Sequence, residues 1–284
     1  MTKAVDQQMQ SHNLADLLYL MKRLRDPENG CPWDIEQTFQ SITPSTIEEA
    51  YEVVEAIESG DRQKIKEELG DLLFQVIFYS QLATEEESFQ FSDVVNALTK
   101  KLIRRHPHVF PDGSLLSSRE KNEQIKTSQV AESWESIKQK ERQGRGETGL
   151  LSGIAHNLPA LTIAGKLQKR AAKVGFDWRH SRDIVAKIKE ETRELEESLS
   201  EYLDGESADL SAVEDELGDL MFSCVNLSRF LHLDAEKVAR GANRKFVARV
   251  RFMENALESA GLSMEDASSE EMEIYWQKAK QAGL

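Results

Sequence analysis

The 284-residue sequence has few of the features that mark secreted or membrane proteins. Its two cysteines, Cys31 and Cys224, lie far apart and in no CxxC spacing, so neither a disulfide framework nor a zinc site is expected. No apolar run approaches the roughly 18 residues that a membrane span needs. The first residues also lack the apolar core of a signal peptide. We therefore expect a cytoplasmic protein that contacts no membrane.

Positive charge is scarce. The chain has 36 lysines and arginines against 50 aspartates and glutamates, which gives a net charge of −14. This balance argues against a large nucleic-acid-binding surface and against binding to anionic lipids. We therefore expect no nucleic-acid partner. Anionic small substrates remain open, because a metal ion can bridge acidic side chains to a phosphate.

Proline and strand signals are also rare. The six prolines all lie at or before Pro159, and the 125 residues that follow are rich in helix-forming residue types. No segment shows a sustained alternation of β-branched or aromatic residues with polar ones. Apolar residues instead recur at helical spacing in two places, at Leu69, Leu72, Leu73, Val76 and Ile77, and at Leu217, Leu220, Met221, Cys224 and Val225. The sequence predicts an all-α fold.

The sequence contains an internal duplication. Residues 67–74 read EELGDLLF and residues 215–222 read DELGDLMF, identical at six of eight positions. An E-E-x-x-E word precedes each copy and a Lys–Arg pair at i, i+4 follows it. Tryptophans open and close each set, 101 residues apart in the first copy and 98 in the second. We predict two homologous helical domains, residues 1–142 and 156–284, joined by a glycine-rich linker at 143–155.

Four carboxylates of the first copy fall on two neighbouring helices. Glu49 and Glu52 share one helix face, and Glu68 and Asp71 share a face of the next helix. The short connection around residues 59–61 makes these helices antiparallel neighbours. We expect an apolar stripe from Ile47 to Ile57 to pack against the stripe from Leu69 to Ile77, so that the four carboxylates converge at one edge.

Converging carboxylates repel one another and need cations. A ligand set of oxygens without His or Cys indicates Mg²⁺, with Mn²⁺ as a substitute. A chain of this acidity should contain roughly nine acidic i, i+3 pairs by chance, so a single pair means little. The second copy repeats the whole arrangement, however, with Glu191, Glu194, Glu216 and Asp219. The repetition favours a metal site over a merely solvated helix face.

Several other residues have a structural and a functional interpretation. Gly70 and Gly218 lie inside helical patterns, and tight helix packing is preferred slightly over clearance beside a metal. His106 and His108 flank a proline that ends a helix, and they are expected to satisfy that helix end rather than to bind metal. Trp33 is expected to pack structurally, although aromatic planes also stack on nucleobases.

These motifs together resemble the MazG family of tandem-domain nucleoside triphosphate pyrophosphohydrolases. The resemblance runs from about residue 17 to residue 280 and rests on the repeated words above and on RLRDPENGCPWDIEQT, KLIRRHPHVF, NLPAL, KVGFDW and NRKFVAR. It implies an all-α pyrophosphatase fold in which helices of two subunits form four-helix bundles, and hence a homodimer. It also implies Mg²⁺-dependent cleavage of NTPs and dNTPs to the monophosphate and pyrophosphate.

The resemblance also implies roles for individual residues, with the main activity in the C-terminal domain. Metal would be held by Glu191, Glu194, Glu216 and Asp219. Phosphates would be contacted by Lys187, Lys245 and Arg249, and the nucleotide would lie against Trp276. Glu194 is our candidate for accepting the proton of the attacking water, and Glu191, Lys245 and Arg249 complete the catalytic group. The N-terminal domain, expected to be weaker or regulatory, keeps Glu49, Glu52, Glu68, Asp71, Lys101 and Arg105.

Two alternatives stay open at this point. The protein could be a non-catalytic nucleotide sensor or a scaffold for a protein partner, because one of two redundant domains can bind without turnover. Its substrate could also be narrower, either an aberrant nucleotide or a guanosine tetraphosphate alarmone, since selectivity depends on the shape of a pocket. A regulatory protein partner is not identified by any motif.

Overall fold

A computed structural model describes residues 11–119, 126–144, 146, 149–205 and 209–284. All regular secondary structure in these ranges is helical, which confirms the all-α prediction. None of the helices described there is long and apolar enough to cross a membrane. The helices are α1 (Leu14–Leu24), α2 (Pro32–Glu36), α3 (Thr43–Ser59), α4 (Arg62–Glu85), α5 (Phe91–Arg105), α6 (Thr127–Gly144), α7 (Ala160–Lys173), α8 (Ser181–Leu203), α9 (Ser211–Phe230), α10 (Ala235–Ser259) and α11 (Ser269–Gln281).

The chain divides into two compact units, residues 1–138 and 139–284. The division falls inside α6, slightly before the domain end predicted at residue 142. The predicted linker at 143–155 begins in the last turn of α6, and its residues 145, 147 and 148 lie outside the described residues. Its second half packs on the second unit, because Ile154 is buried and Arg170 of α7 donates hydrogen bonds to the carbonyls of Leu150 and Ser152. The exact domain boundaries stay a prediction.

Helices α3 and α4 form an antiparallel pair in the first unit. Gly60 ends α3 in the left-handed conformation, with φ of 77°, and this allows an immediate reversal of the chain. Asp61 then caps α4 by accepting hydrogen bonds from the amides of Gln63 and Lys64 at 2.9 and 3.1 Å. The hydroxyls of Thr46 and Tyr79, 2.8 Å apart, join the other ends of the pair.

The face of α3 that packs on α4 differs from the predicted one. Val53 and Ala56 are buried and share their face with the half-buried Glu49 and Glu52. The predicted apolar stripe is therefore wrong as an intramolecular contact. Six of its members are between 39% and 57% exposed, namely Ile47, Tyr51, Ile57, Leu69, Leu73 and Val76, whereas Ile77 at the end of the stripe is buried. The physical reason is that the carboxylates occupy the inward face along this part of the pair, so the six exposed apolar side chains point outward, while Ile77, Phe78 and Leu82 further along α4 enter the core.

The second unit repeats the helix pair with α8 and α9, and α7 packs against α9. Helix α10 packs on α11 and also contacts α7. Helix α11 begins with a capping box in which Ser268 and Glu271 satisfy each other's backbone amides. The interior of this unit consists of Ile184, Val225, Met253, Leu257 and Ala279. As on α4, the middle of α9 leaves large apolar side chains exposed, here Leu217 and Met221.

Three expectations about individual residues can now be judged. Tight packing around Gly70 and Gly218 is wrong within one chain, since a Cβ atom at either position would meet no described atom within 4 Å. Trp33 is 60% exposed, so it does not pack in the core. The role of His106 at a helix end is confirmed, because its Nδ1 lies 2.6 Å from the carbonyl oxygen of Leu102 at the end of α5.

Candidate active site

Three carboxylates converge in the second unit, where α8 and α9 run side by side. Glu191 and Glu194 of α8 and Glu216 of α9 each place an oxygen within 4.8 Å of the other two. Glu191 is buried, with 3% of its surface exposed, and the other two are half-buried. The i, i+3 spacing puts the α8 pair on one face, and the helix pairing brings Glu216 to it. We call Glu191, Glu194 and Glu216 the second-domain cluster.

The basic side chains of Arg193 and Lys187 contact this cluster. Arg193 Nη2 lies 3.8 Å from a carboxylate oxygen of Glu194, and Lys187 lies closer to the carboxylates. Its Nζ lies 2.8 Å from carboxylate oxygens of both Glu190 and Glu191. These hydrogen bonds raise the pKa of Lys187 above its ordinary value and lower that of Glu190. The pKa of Glu194 is nevertheless raised, by burial and by the charges of Glu191, Glu190 and Glu216, which outweigh the opposing effect of Lys187. Lys187 and Arg193 do not balance the charges of Glu190, Glu191, Glu194 and Glu216, and a divalent cation could offset the remaining negative charge.

Asp219, the fourth predicted ligand, lies outside the group of three but beside it. It lines a cavity of about 730 Å³ whose wall also contains Lys187 and Glu191. The remainder of the wall comes from α7, the rest of α9, residues 175–178 between α7 and α8, Ile184 of α8 and Leu151. This volume is within the range of small-molecule sites. The second-domain cluster therefore stands next to a space large enough for an organic ligand.

An ion pair holds one wall of this cavity in place. Arg229, near the end of α9, donates hydrogen bonds to both carboxylate oxygens of Asp177, in the segment between α7 and α8. The side chain of Arg229 is 17% exposed and that of Asp177 is 28% exposed. The hydrogen bonds from Arg229 keep the pKa of Asp177 below its ordinary value. Asp177 also accepts a hydrogen bond from the amide of Trp178 at 2.9 Å. The pair thereby fixes the position of Trp178 at the cavity.

The predicted phosphate-binding residues of α10 and the predicted nucleotide contact of α11 form a separate group. The guanidinium carbon of Arg249 lies 5.2 Å from the ring centre of Trp276, and the ring of Phe246 packs on the same tryptophan. Arg249 Nε also donates a hydrogen bond to the carbonyl of Leu284 at 2.8 Å. The described residues that line the cavity do not include Lys245, Arg249 or Trp276. Their roles in phosphate and nucleotide binding stay predictions.

The first unit has an equivalent cluster. Glu49 of α3 and Glu68 and Asp71 of α4 bring oxygens within 4.8 Å of one another. Glu52 lies outside this group of three, but its charge contributes to raised pKa values of Glu49 and Glu68, in both cases after burial as the largest cause. We call Glu49, Glu68 and Asp71 the first-domain cluster. The predicted basic residues of this domain, Lys101 and Arg105, lie on α5, which packs on α4.

The cavity contains residues that the sequence reasoning missed. Gln168 of α7 and Arg229 of α9 belong to no motif that the sequence analysis used, and Asp177 lies within KVGFDW but was given no role of its own. The useful signal lies in the difference between the copies: LQKRA at 167–171 corresponds to LMKRL at 20–24, with a polar residue in place of an apolar one. Comparing the copies for differences as well as identities would have identified Gln168.

Comparison with known proteins agrees with this geometry. The family profile described as the MazG nucleotide pyrophosphohydrolase domain matches residues 37–110 and again 179–253, and each match contains one cluster. The chain is 46% identical over 264 residues to the nucleoside triphosphate pyrophosphohydrolase of Escherichia coli (strain K12), covering 93% of this chain and 95% of that protein. It is 42% identical over 265 residues to the nucleoside triphosphate pyrophosphohydrolase/pyrophosphatase MazG of Thermotoga maritima, covering 93% and 94%. A nucleoside triphosphate pyrophosphohydrolase of Mycolicibacterium smegmatis is 32% identical over 165 residues, or 57% of this chain and 47% of that protein.

Proposed function

The chain belongs to the MazG nucleotide pyrophosphohydrolase family, and from this premise we propose that its second domain is the main catalytic centre. The enzyme is a nucleoside triphosphate pyrophosphohydrolase, which cleaves the bond between the α- and β-phosphates of an NTP or dNTP. One observation carries the assignment to the second domain: the second-domain cluster adjoins a cavity that Lys187 and Asp219 also line. Such activity serves to clear unwanted nucleotides from the cellular pool. Cys31 and Cys224 are free thiols, and we place the enzyme in the cytoplasm.

The second-domain cluster fits a hard divalent cation. Its donors are all carboxylate oxygens, one of them is buried, and Lys187 leaves part of the negative charge unbalanced. We propose that Glu191, Glu194, Glu216 and Asp219 hold Mg²⁺, or Mn²⁺ in its place. When bound, the ion would neutralise phosphate charge and make a water molecule more acidic.

The chain's own residues supply the remaining steps. In the reaction, water attacks the α-phosphorus, the bond from that phosphorus to the bridging oxygen breaks, and pyrophosphate leaves. Glu194 is our candidate for taking the proton of this water. Its side chain is 34% exposed, so it can exchange a proton with solvent, and its nearest cation, Arg193 Nη2, is 3.8 Å away. The side chain of Glu191 is 4% exposed and is held by Lys187 at 2.8 Å. We propose that Lys187, Lys245 and Arg249 neutralise the phosphates, with Arg249 held against Trp276.

The test of this assignment is the double variant Glu216→Gln with Asp219→Asn, assayed for pyrophosphate release from dGTP and Mg²⁺. We expect activity to fall by at least about 100-fold, because two metal ligands lose their charge. The matched control is Glu68→Gln with Asp71→Asn in the first domain, which should keep most of the activity. If instead the control loses activity and the second-domain variant keeps it, the catalytic centre lies in the first domain.

We further propose that the protein works as a homodimer. In a single chain, α3 and α4 of the first unit expose large apolar side chains such as Leu73, and α9 of the second unit exposes others such as Leu217. Monomers rarely leave such side chains uncovered. The space beside Gly70 and Gly218, which no described atom fills, allows another helix to approach closely. The double variant Leu73→Glu with Leu217→Glu should sediment as a monomer. Leu116→Glu is the control, since Leu116 is 93% exposed on a loop; an unchanged sedimentation coefficient in the double variant would contradict the proposal.

The substrate range is proposed to be broad, covering NTPs and dNTPs. A panel of nucleotides that includes aberrant bases and an alarmone, compared by kcat/KM, tests this range. If one nucleotide of the panel were strongly preferred, the enzyme would have a narrow substrate range instead of a broad one. Tight binding of a non-hydrolysable analogue without turnover of any true triphosphate would instead favour a sensor.

A further inference from the structure

We propose that Asn226 of α9 recognises the base of the nucleotide, and that its amide group donates a hydrogen bond to an acceptor atom of a base bound in the second-domain cavity. This inference rests on the proposed function and adds to it the residue that reads the base. Arg229 is a positioning residue in this proposal, because it holds the amide of Asn226 in the orientation that presents the donor.

The orientation of the Asn226 amide is fixed by Arg229, three residues further along α9. Nε and Nη2 of Arg229 donate hydrogen bonds to Oδ1 of Asn226 at 3.2 and 2.7 Å. Because a guanidinium group has donors and no acceptor, the oxygen of the amide faces Arg229 and the nitrogen faces away from it. Arg229 is in turn held by its hydrogen bonds to Asp177. The ion pair thus determines which polar group of Asn226 is left for a ligand.

The group that is left is the Nδ2 donor of Asn226. Among the described residues, this nitrogen has no hydrogen-bond acceptor. It is not closed off either, because the buried, unpaired side-chain atoms of those residues do not include it. Asn226 is half-buried and lines the cavity. A ligand in the cavity can therefore accept a hydrogen bond from Nδ2.

The position of Asn226 along α9 separates it from the carboxylates. Asp219, Phe222 and Asn226 line the cavity at i, i+3 and i+7, which puts them on one face of the helix. At a rise of about 1.5 Å per residue, Asn226 lies roughly 10 Å along the helix axis from Asp219. This spacing is comparable with the reach of a nucleotide from its α-phosphate across the sugar to the base. A nucleotide whose phosphates lie at the second-domain cluster can therefore place its base at Asn226.

The chemistry around Asn226 suits a base better than a phosphate. The charge of Arg229 is balanced by Asp177, and Asn226 adds a donor that carries no charge. Trp178 and Phe222 line the same cavity and are 38% and 42% exposed, so their rings are open to a planar ligand. A base is planar and carries uncharged oxygen or nitrogen acceptors, which match this combination of a neutral donor and aromatic rings.

The first domain lacks this donor. When residues 67–74 are aligned with residues 215–222, Phe78 takes the position of Asn226 and Gln81 takes that of Arg229. Phe78 is 1% exposed and belongs to the hydrophobic core of the first domain. The two domains thus share their carboxylates but differ at the position that reads the base. Recognition of the base is therefore assigned to the second domain.

The experiment compares kcat/KM for dTTP with that for its difluorotoluene isostere, in which fluorine replaces both carbonyl oxygens of thymine. The isostere keeps the shape of the base but is a very poor hydrogen-bond acceptor. The wild type should prefer dTTP by about tenfold or more, since a site built around a hydrogen bond rejects an analogue that lacks it. Asn226→Leu, which removes the donor at similar volume, should lose about tenfold on dTTP and stay within about twofold on the isostere. A wild type without this preference, or an unchanged ratio in Asn226→Leu, overturns the inference.

Asn255→Leu is the matched control, because Asn255 is an exposed asparagine of α10 that is not among the described residues lining the cavity. Its ratio should equal that of the wild type. Asn226→Ser keeps the inference testable if Asn226→Leu folds poorly, since serine is polar but too short to reach the base, and it should also lose the preference for dTTP. Failure of the proposed function looks different, since the wild type would then release no pyrophosphate from dTTP. An active wild type whose preference persists in Asn226→Ser would sink only the present inference.

Discussion

Replacing Glu49 by glutamine removes one negative charge from the first-domain cluster, and its effect on stability should reverse sign when Mg²⁺ is added. In the metal-free protein, burial and the charges of Asp71, Glu52 and Glu68 raise the pKa of Glu49. A raised pKa means that the charged carboxylate is disfavoured in the folded state. Glu49→Gln should therefore stabilise the metal-free protein at pH 7 and weaken its response to the metal.

The magnitude follows from the geometry. The carboxylate oxygens of Glu49, Glu68 and Asp71 lie within 4.8 Å of one another. Two unit charges at this distance repel by about 1 kcal/mol in bulk water and by about 3.5 kcal/mol at an effective dielectric constant of 20. Because Glu49 is only half-buried, solvent screens most of this repulsion, and we expect a net gain of about 1 kcal/mol in the free energy of unfolding.

The pH dependence has a definite sign. Below the unfolded-state pKa, roughly 4.3 for Glu, the carboxyl is protonated in both states and contributes no penalty. As the pH rises from the unfolded-state pKa toward the higher folded-state pKa, Glu49 loses its proton more readily in the unfolded state than in the folded state. The free energy of unfolding of the wild type therefore falls over this pH range. The advantage of Glu49→Gln is thus present at pH 7 and disappears as the pH is lowered below about 4.

The assay is urea unfolding of the full chain in EDTA and in excess Mg²⁺. A ligand at 100 times its Kd stabilises a folded protein by about 2.7 kcal/mol. Because Glu49→Gln lacks one metal ligand and gains less from Mg²⁺, the wild type should be more stable than Glu49→Gln when the metal is present. Glu48→Gln is the matched control, since Glu48 is an exposed neighbour outside the first-domain cluster. A Glu49→Gln variant that is less stable than the wild type in EDTA, or that responds equally to Mg²⁺, would refute the reasoning.

Three further predictions concern the ion pair at the cavity, the first core and the metal. Asp177→Asn should lower the free energy of unfolding by about 1–2 kcal/mol at pH 7. Hydrogen bonds from Arg229 lower the pKa of Asp177, so the difference in stability between wild type and variant should shrink in acid unfolding curves as the pH falls through that lowered pKa. Met21→Ala should cost about 2–5 kcal/mol in urea unfolding because Met21 is fully buried, whereas Tyr19→Ala, at a position 61% exposed, should cost far less; equal costs would contradict the assigned core. EDTA should abolish pyrophosphate release and Mn²⁺ should restore it; activity that persists in EDTA would contradict a metal-dependent reaction.

Much of the site could be predicted from the sequence because its pattern is local. Residues three apart on a helix share a face whatever surrounds that helix, so Glu191 with Glu194, and Glu216 with Asp219, were identifiable as pairs. The short connection around residues 59–61 predicted that the two helices of the first copy pair, and the duplication extended this prediction to the second copy. It did not predict that Asp219 would stand beside the second-domain cluster rather than inside it, since that offset depends on how α8 and α9 are rotated.

The sequence by itself determined the helical fold class, the duplication and the acidic motifs. The helices and the acidic pairs follow from spacing within one segment, and the duplication follows from the similarity of two segments. Only the tertiary structure decided which face of α3 is covered, because helical periodicity marks two candidate faces and the neighbouring helix selects one. It likewise decided that Arg229 reaches Asp177, 52 residues earlier in the chain, and that Gln168 of α7 donates a hydrogen bond to the carbonyl of Phe222 of α9. These properties arise from contacts between distant segments, and no local pattern encodes which distant segments will meet.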